Sequence, residues 1–161
     1  MIDKQAAFDL LLTKMQAGLR DLAASQTAAQ EGAIHEETRQ EDPKDTRAIE
    51  AQYLARGLAE RVELMRDDVA RLVRLELKKF GPDDAIAVGA LVGVEGEHGG
   101  EAIYLVVPSA GGETLEIDGR TLRTLTPGSP LGKSLMGCYV DDEVTLGRPD
   151  RQMSAMIRWV C

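Results

Sequence analysis

Apolar residues in the first half of the chain recur at helical spacing. Phe8, Leu12, Met15, Leu19, Leu22, Gln26, Ala29 and Ala33 advance by alternating steps of four and three, with Gln26 the one polar member. A second series runs Ala48, Ala51, Ala55, Leu58, Val62, Met65, Val69 and Leu72. Alternating threes and fours keep each series on one stripe of a helix, the seam of a coiled coil. Two such helices joined by a short polar connection fold back on each other, so the pattern predicts an antiparallel coiled-coil hairpin. Its turn falls in residues 35–45, around Pro43, which a helix interior excludes. The seam changes from large side chains at the open end to alanines beside the turn, so the closed end should be slender.

The second half alternates over shorter distances. Residues 86–95, 101–108, 114–117, 121–125, 143–146 and 152–160 read as strands, and the pairs Gly99-Gly100 and Gly111-Gly112 supply turns. Between them, residues 130–137 read as one short helix, with Ser129 as cap, Pro130 at the first helical position and Gly137 as terminator. The expected fold class is α+β: a helical hairpin followed by a small antiparallel sheet wrapped over one short helix.

Glycine and proline mark the same division. Residues 1–80 hold one proline and three glycines, and the rest of the chain holds five prolines and thirteen glycines. This shift divides the chain into a hairpin domain, 1–80, and a globular domain, 81–161. The net charge of −8 falls unevenly, −2 on the first domain and −6 on the second. An acidic chain of this kind is not a general nucleic-acid binder, which would hold phosphates on a basic surface. Two cysteines, Cys138 and Cys161, make no disulfide framework, and no apolar run is long enough to span a bilayer. The expectation is a cytoplasmic protein without a membrane anchor.

Candidate chemistry concentrates in the predicted turn. Glu31, Glu36, Glu37, Glu41, Asp42 and Asp45 are opposed only by Arg39 and Lys44, a local net of −4 in fifteen residues. Such a run is most often a solvated face, and acids at a helix start complement its dipole. At the end of a narrow rod, however, carboxylates can be carried into a partner's cavity, where a pair of them would help hold Mg²⁺. His35 beside Glu36 and Glu37 lacks metal-ligand spacing. Ser129 and Ser134 have no nearby base to activate them, and Cys138 reads as a packing residue. No self-contained enzyme emerges.

The stretch Ser129-Pro130-Leu131-Gly132-Lys133-Ser134-Leu135-Met136-Gly137, followed by Val140-Asp141-Asp142-Glu143-Val144, resembles the C-terminal signature of the Gre-factor (GreA/GreB) transcription elongation family. The resemblance runs through both halves in order. It implies an FKBP-like globular domain, bacterial RNA polymerase core as partner, and a hairpin inserted through the polymerase's secondary channel, near the 3′ end of the nascent RNA. The factor would be a monomer without a cofactor of its own. Its tip acids would share Mg²⁺ with the polymerase active site, which would itself catalyse any cleavage of backtracked RNA.

Aligning the family's tip puts Glu41 on its functional glutamate and Thr38 on its functional aspartate, with Glu37 the candidate substitute and Glu36 a second. Glu41 and Glu37 are therefore the expected cleavage-assisting, transient Mg²⁺-binding residues. Glu36, Asp42, Asp45, Ser129, Pro130, Leu131 and Gly132 are the expected partner-contacting ones. Two alternatives stay open: a channel blocker without cleavage activity, and a generic coiled-coil adaptor. A prolyl isomerase is disfavoured, since two Phe and one Trp leave little for an aromatic-lined proline pocket.

Overall fold

The computed structural model describes residues 2–39, 46–96, 99–148 and 151–161. Two long helices come first, α1 (Lys4–Arg39) and α2 (Arg47–Val73). The carboxylate of Asp3 caps α1 by accepting from the backbone N–H groups of Gln5 and Ala6, at 2.9 and 3.2 Å. Burial follows the seam closely. Phe8, Met15, Ala33, Ala48, Val62 and Leu72 are buried and the seam positions between them are half-buried, and near the start of α1 Ala7 and Leu11 are buried as well. Ala33 and Ala48, only 7% and 4% exposed, show that the helices still cover each other's small side chains at the far end of the seam.

Six strands follow: β1 (Leu91–Gly96), β2 (Glu101–Val106), β3 (Thr114–Ile117), β4 (Arg120–Leu125), β5 (Glu143–Arg148) and β6 (Arg151–Val160). One short helix, α3 (Pro130–Leu135), lies between β4 and β5 in sequence. The strands form a single sheet in the order β3-β4-β2-β1-β6-β5. All neighbours are antiparallel except β2 and β4, which run parallel from Ile103↔Leu122 to Val106↔Leu125. The sheet is thus mostly antiparallel, as expected, with β2–β4 its one parallel pairing among the described residues.

One correction concerns the first strand, which begins at Leu91 although the apolar run starts at residue 86. Ile86 and Ala90 are buried, but Ile86 N–H donates away from β2, to the Cys138 carbonyl at 2.9 Å, and only Gly89 and Ala90 reach β2, bonding to the backbone of Val106 at 2.8 and 2.9 Å. The chain turns at Gly89, whose φ of +94° a side-chain-bearing residue rarely adopts.

The chain divides into two compact units, Met1–Leu12 with Arg71–Cys161, and Thr13–Ala70. Compactness thus groups the first turns of α1 and the end of α2 with the sheet, whereas glycine and proline density changes at residue 80. Within the first unit, Lys4 donates to the Lys78 carbonyl and sits 4.9 Å from the Phe80 ring centre. One core of this unit gathers Val92, Val94, Val106, Leu125, Leu135, Val144 and Ile157. Among the described residues no helix is long and apolar enough to cross a membrane.

The β1–β6 register slips between Gly93 and Val94, so that Gly93 faces Trp159 while Val94 faces Ile157. The extra residue, Arg158, pairs with Glu95 at 2.5 Å, and the Trp159 indole lies directly on Gly93. A Cβ at residue 93 would stand 2.2 Å from that ring. Gly93→Ala should therefore displace the chain's one tryptophan and cost about 1–3 kcal/mol. Trp emission and urea unfolding measure both effects. Gly128→Ala, where an added Cβ meets nothing within 4 Å, should stay within about 0.5 kcal/mol of wild type.

Candidate functional site

The far end of the hairpin is built by the last turns of α1 and the first turns of α2. Glu36 occupies the seam position after Ala33 and is half-buried, while His35, Glu37 and Thr38 are exposed. The Glu37 carboxylate accepts through Oε1 from the Gln52 side chain of α2, which ties the two helices together across the seam. The Thr38 hydroxyl donates to the Ile34 carbonyl one turn back, at 2.8 Å. Beside this bridge stand Ile34, Ile49 and Tyr53, three large side chains that are each more than half exposed.

The structure thus brings Glu36 and Glu37 to the hairpin's end. Glu37 keeps one carboxylate oxygen outside its bond to Gln52, whereas Thr38 offers an alcohol already engaged by its own helix. Glu41, Asp42 and Asp45 lie outside the described residues. Among the described residues no group of three or more His, Cys, Asp or Glu side chains converges as a metal cage would. The described residues of this end can contribute one or two carboxylates, from Glu36 and Glu37, to an ion held mainly by another molecule.

The segment from Ser129 to Gly137 is organised by its own hydrogen bonds. Ser129 Oγ accepts from Gly132 N–H at 3.0 Å and donates to the Thr126 carbonyl at 2.7 Å, which makes it the cap of α3. Pro130 takes the first helical position, where its missing N–H costs nothing. Gly132 is buried, and a Cβ there would come within 2.0 Å of the Thr126 carbonyl oxygen. Gly137, at φ +80°, turns the chain so that its N–H reaches the Ile86 carbonyl at 2.9 Å. Of the four residues of this segment among those assigned to partner contact, Pro130 is exposed, Ser129 and Leu131 are half-buried, and Gly132 is spent on packing. Lys133 and Tyr139 are the exposed side chains that the sequence reading passed over, because nothing in their spacing separates surface from core.

Burial pushes both thiols up, Cys138 further under the charge of Asp142 and Cys161 against the opposing pull of Lys4. Neither is an activated nucleophile.

Two substitutions separate capping from packing. Ser129→Ala should lower stability by ~1 kcal/mol through loss of the cap. Gly132→Ala should cost more, about 1–3 kcal/mol, because a backbone carbonyl blocks the added methyl and cannot rotate away as a side chain can. Urea unfolding of the two variants against wild type ranks them.

No protein-family model matches the chain, and no curated protein sequence matches it. Among solved structures, the transcription factor Gfh1 is similar at 19% identity over 92% of each chain, with a TM-score of 0.42. The GreA factor homolog 1 (Gfh1) protein of Thermus thermophilus matches at 19% identity over 93% of this chain and 94% of that one, with a TM-score of 0.39. The prokaryotic transcription elongation factor GreA/GreB from Nitrosomonas europaea matches at 21% identity over 63% of this chain and 90% of its own, with a TM-score of 0.38.

Proposed function

We propose that the protein is a transcription elongation factor that binds bacterial RNA polymerase and reaches into its secondary channel with the hairpin. The observation that carries this reading is the pairing, in one chain, of a long helical hairpin ending in carboxylates with the 129–144 segment resembling the Gre signature. The globular domain would hold the polymerase at the channel's rim while the tip enters the active site. The protein itself would not be an enzyme.

In the cleaving version, Glu41 and Glu37 would lend carboxylate oxygens to a Mg²⁺ shared with the polymerase, and that ion would activate water against the RNA 3′ end. Glu36, Asp42 and Asp45 would add negative potential around the ion. A second version keeps the docking and blocks the channel instead. It is favoured by Thr38, an alcohol bonded within its own helix where the family carries an acid, and by Glu37, already engaged with Gln52.

Binding comes first: the protein should co-migrate with core polymerase on gel filtration, and its absence from that peak at micromolar concentration would end both versions. Cleavage of RNA in one stalled, backtracked complex then distinguishes them. In the cleaving version, Glu41→Gln should lower the rate by ~10²-fold while leaving binding nearly unchanged, and Thr38→Asp should raise it. In the blocking version, wild type should inhibit elongation without cutting, and the inhibition should survive Glu41→Gln. Wild-type cleavage indifferent to Glu41→Gln would sink the tip argument altogether.

A further inference from the structure

The sheet unit carries a groove of about 660 Å³, bordered by Tyr104, Arg123, Leu125, Leu131 and the side-chain-free pair Gly111 and Gly112. The parallel pairing of β2 with β4 sets Tyr104 directly beside Arg123, and Thr114 of β3 flanks Arg123 on its other side. Leu125 is buried, and Tyr104 and Leu131 pack half-buried against the same core, so one wall of the groove is apolar.

The polar groups of the groove divide sharply. Thr124 Oγ1 is spent, donating to the Ala110 carbonyl at 2.6 Å and accepting from Glu113 N–H at 2.9 Å. Ser129 is spent on its cap, and Thr114 has a partner of its own. Arg123, by contrast, is exposed and forms no ion pair among the described residues, although Glu116 stands two positions along β3 from Thr114 on the same face. The Tyr104 hydroxyl likewise has no hydrogen-bond partner among the described residues. Burial pushes that phenol up, against the opposing pull of Arg123, so at neutral pH it stays protonated and donates. Both uncommitted groups are therefore donors, one of them charged, set at the edge of an apolar wall. Their complement is an anion with two acceptor oxygens on an apolar body.

We propose that this groove binds a carboxylate carried on an apolar chain, with Arg123 taking the carboxylate, the Tyr104 hydroxyl donating beside it, and Leu125 and Leu131 covering the chain. The size falls within the ordinary range for small-molecule sites, which favours a small free acid as the occupant. The site is independent of the hairpin's acids, and it shares Ser129 and Leu131 with the surface expected to meet the polymerase.

The test is a titration of the isotope-labelled full chain with sodium octanoate, followed by amide chemical shifts. Saturable shifts should appear at Tyr104, Arg123, Leu125 and Leu131. Arg123→Met, which keeps the stem of the side chain and removes its charge, should weaken octanoate at least about tenfold, and octanamide should bind wild type as poorly. Should Arg123→Met not fold, the octanoate-to-octanamide ratio on wild type decides alone. The proposal is overturned by absence of saturation, by shifts centred elsewhere, by equal binding of octanamide, or by Arg123→Met binding like wild type. It is also overturned if a terminally blocked Leu-Ala-Glu peptide saturates the groove and octanoate does not, because the ligand would then be a protein segment.

Discussion

The sheet depends on the parallel contact between β2 and β4. Two strands joined by a tight turn run antiparallel, so a parallel pair requires the chain to leave the sheet and return. Here the return is short, made by the loop after Val107 and by β3, and one buried hydroxyl holds it. Thr124 bonds through Oγ1 to Ala110 and Glu113, while its backbone N–H and C=O bond to Glu113 and Gly112 at 2.8 Å each. With the loop fixed, Thr126 follows in place, and its carbonyl receives the Ser129 hydroxyl and backs onto Gly132. The start of α3, the edge strand β3 and the groove beside Arg123 all follow from that pairing.

The elements legible in the sequence are those whose evidence is local. The 3-4 spacing marked both helices because seam burial is periodic along one chain, and the strands showed through apolar runs between glycine turns. Residues 86–90 misled because burial and strand are different properties: Ile86 and Ala90 are covered, yet their segment bends at Gly89. The parallel pairing was illegible because alternation reports which face a residue takes and says nothing of which strand lies beside it. Tyr104 and Arg123 are nineteen positions apart and meet only through that pairing.

The candidate site shows the same limit. Ser129, Pro130 and Gly132 are the residue types that both a cap and a recognition loop use, and the sequence could not say which. The geometry gives them capping and packing roles, leaving Pro130, Lys133 and Tyr139 to face outward. At the hairpin's end, acid count was readable from composition, but the bond from Gln52 to Glu37 was not, since it joins residues on different helices. One described carboxylate therefore serves the hairpin itself as well as anything the hairpin reaches.

Among the described residues, the order β3-β4-β2-β1-β6-β5 leaves two strands with one unpaired side each. Open backbone edges are templates on which further chains can add, the first step of fibrous assembly. Both edges carry obstacles to it. β3 is four residues long and bears Glu116 on its surface, while β5 begins at the exposed Glu143 and is bent at Gly147, whose φ is +109°. An incoming strand would meet a short or kinked ladder, and a growing fibre would stack a like charge at each repeat. The sheet can therefore be rich in valine and leucine and still resist growing past its own ends.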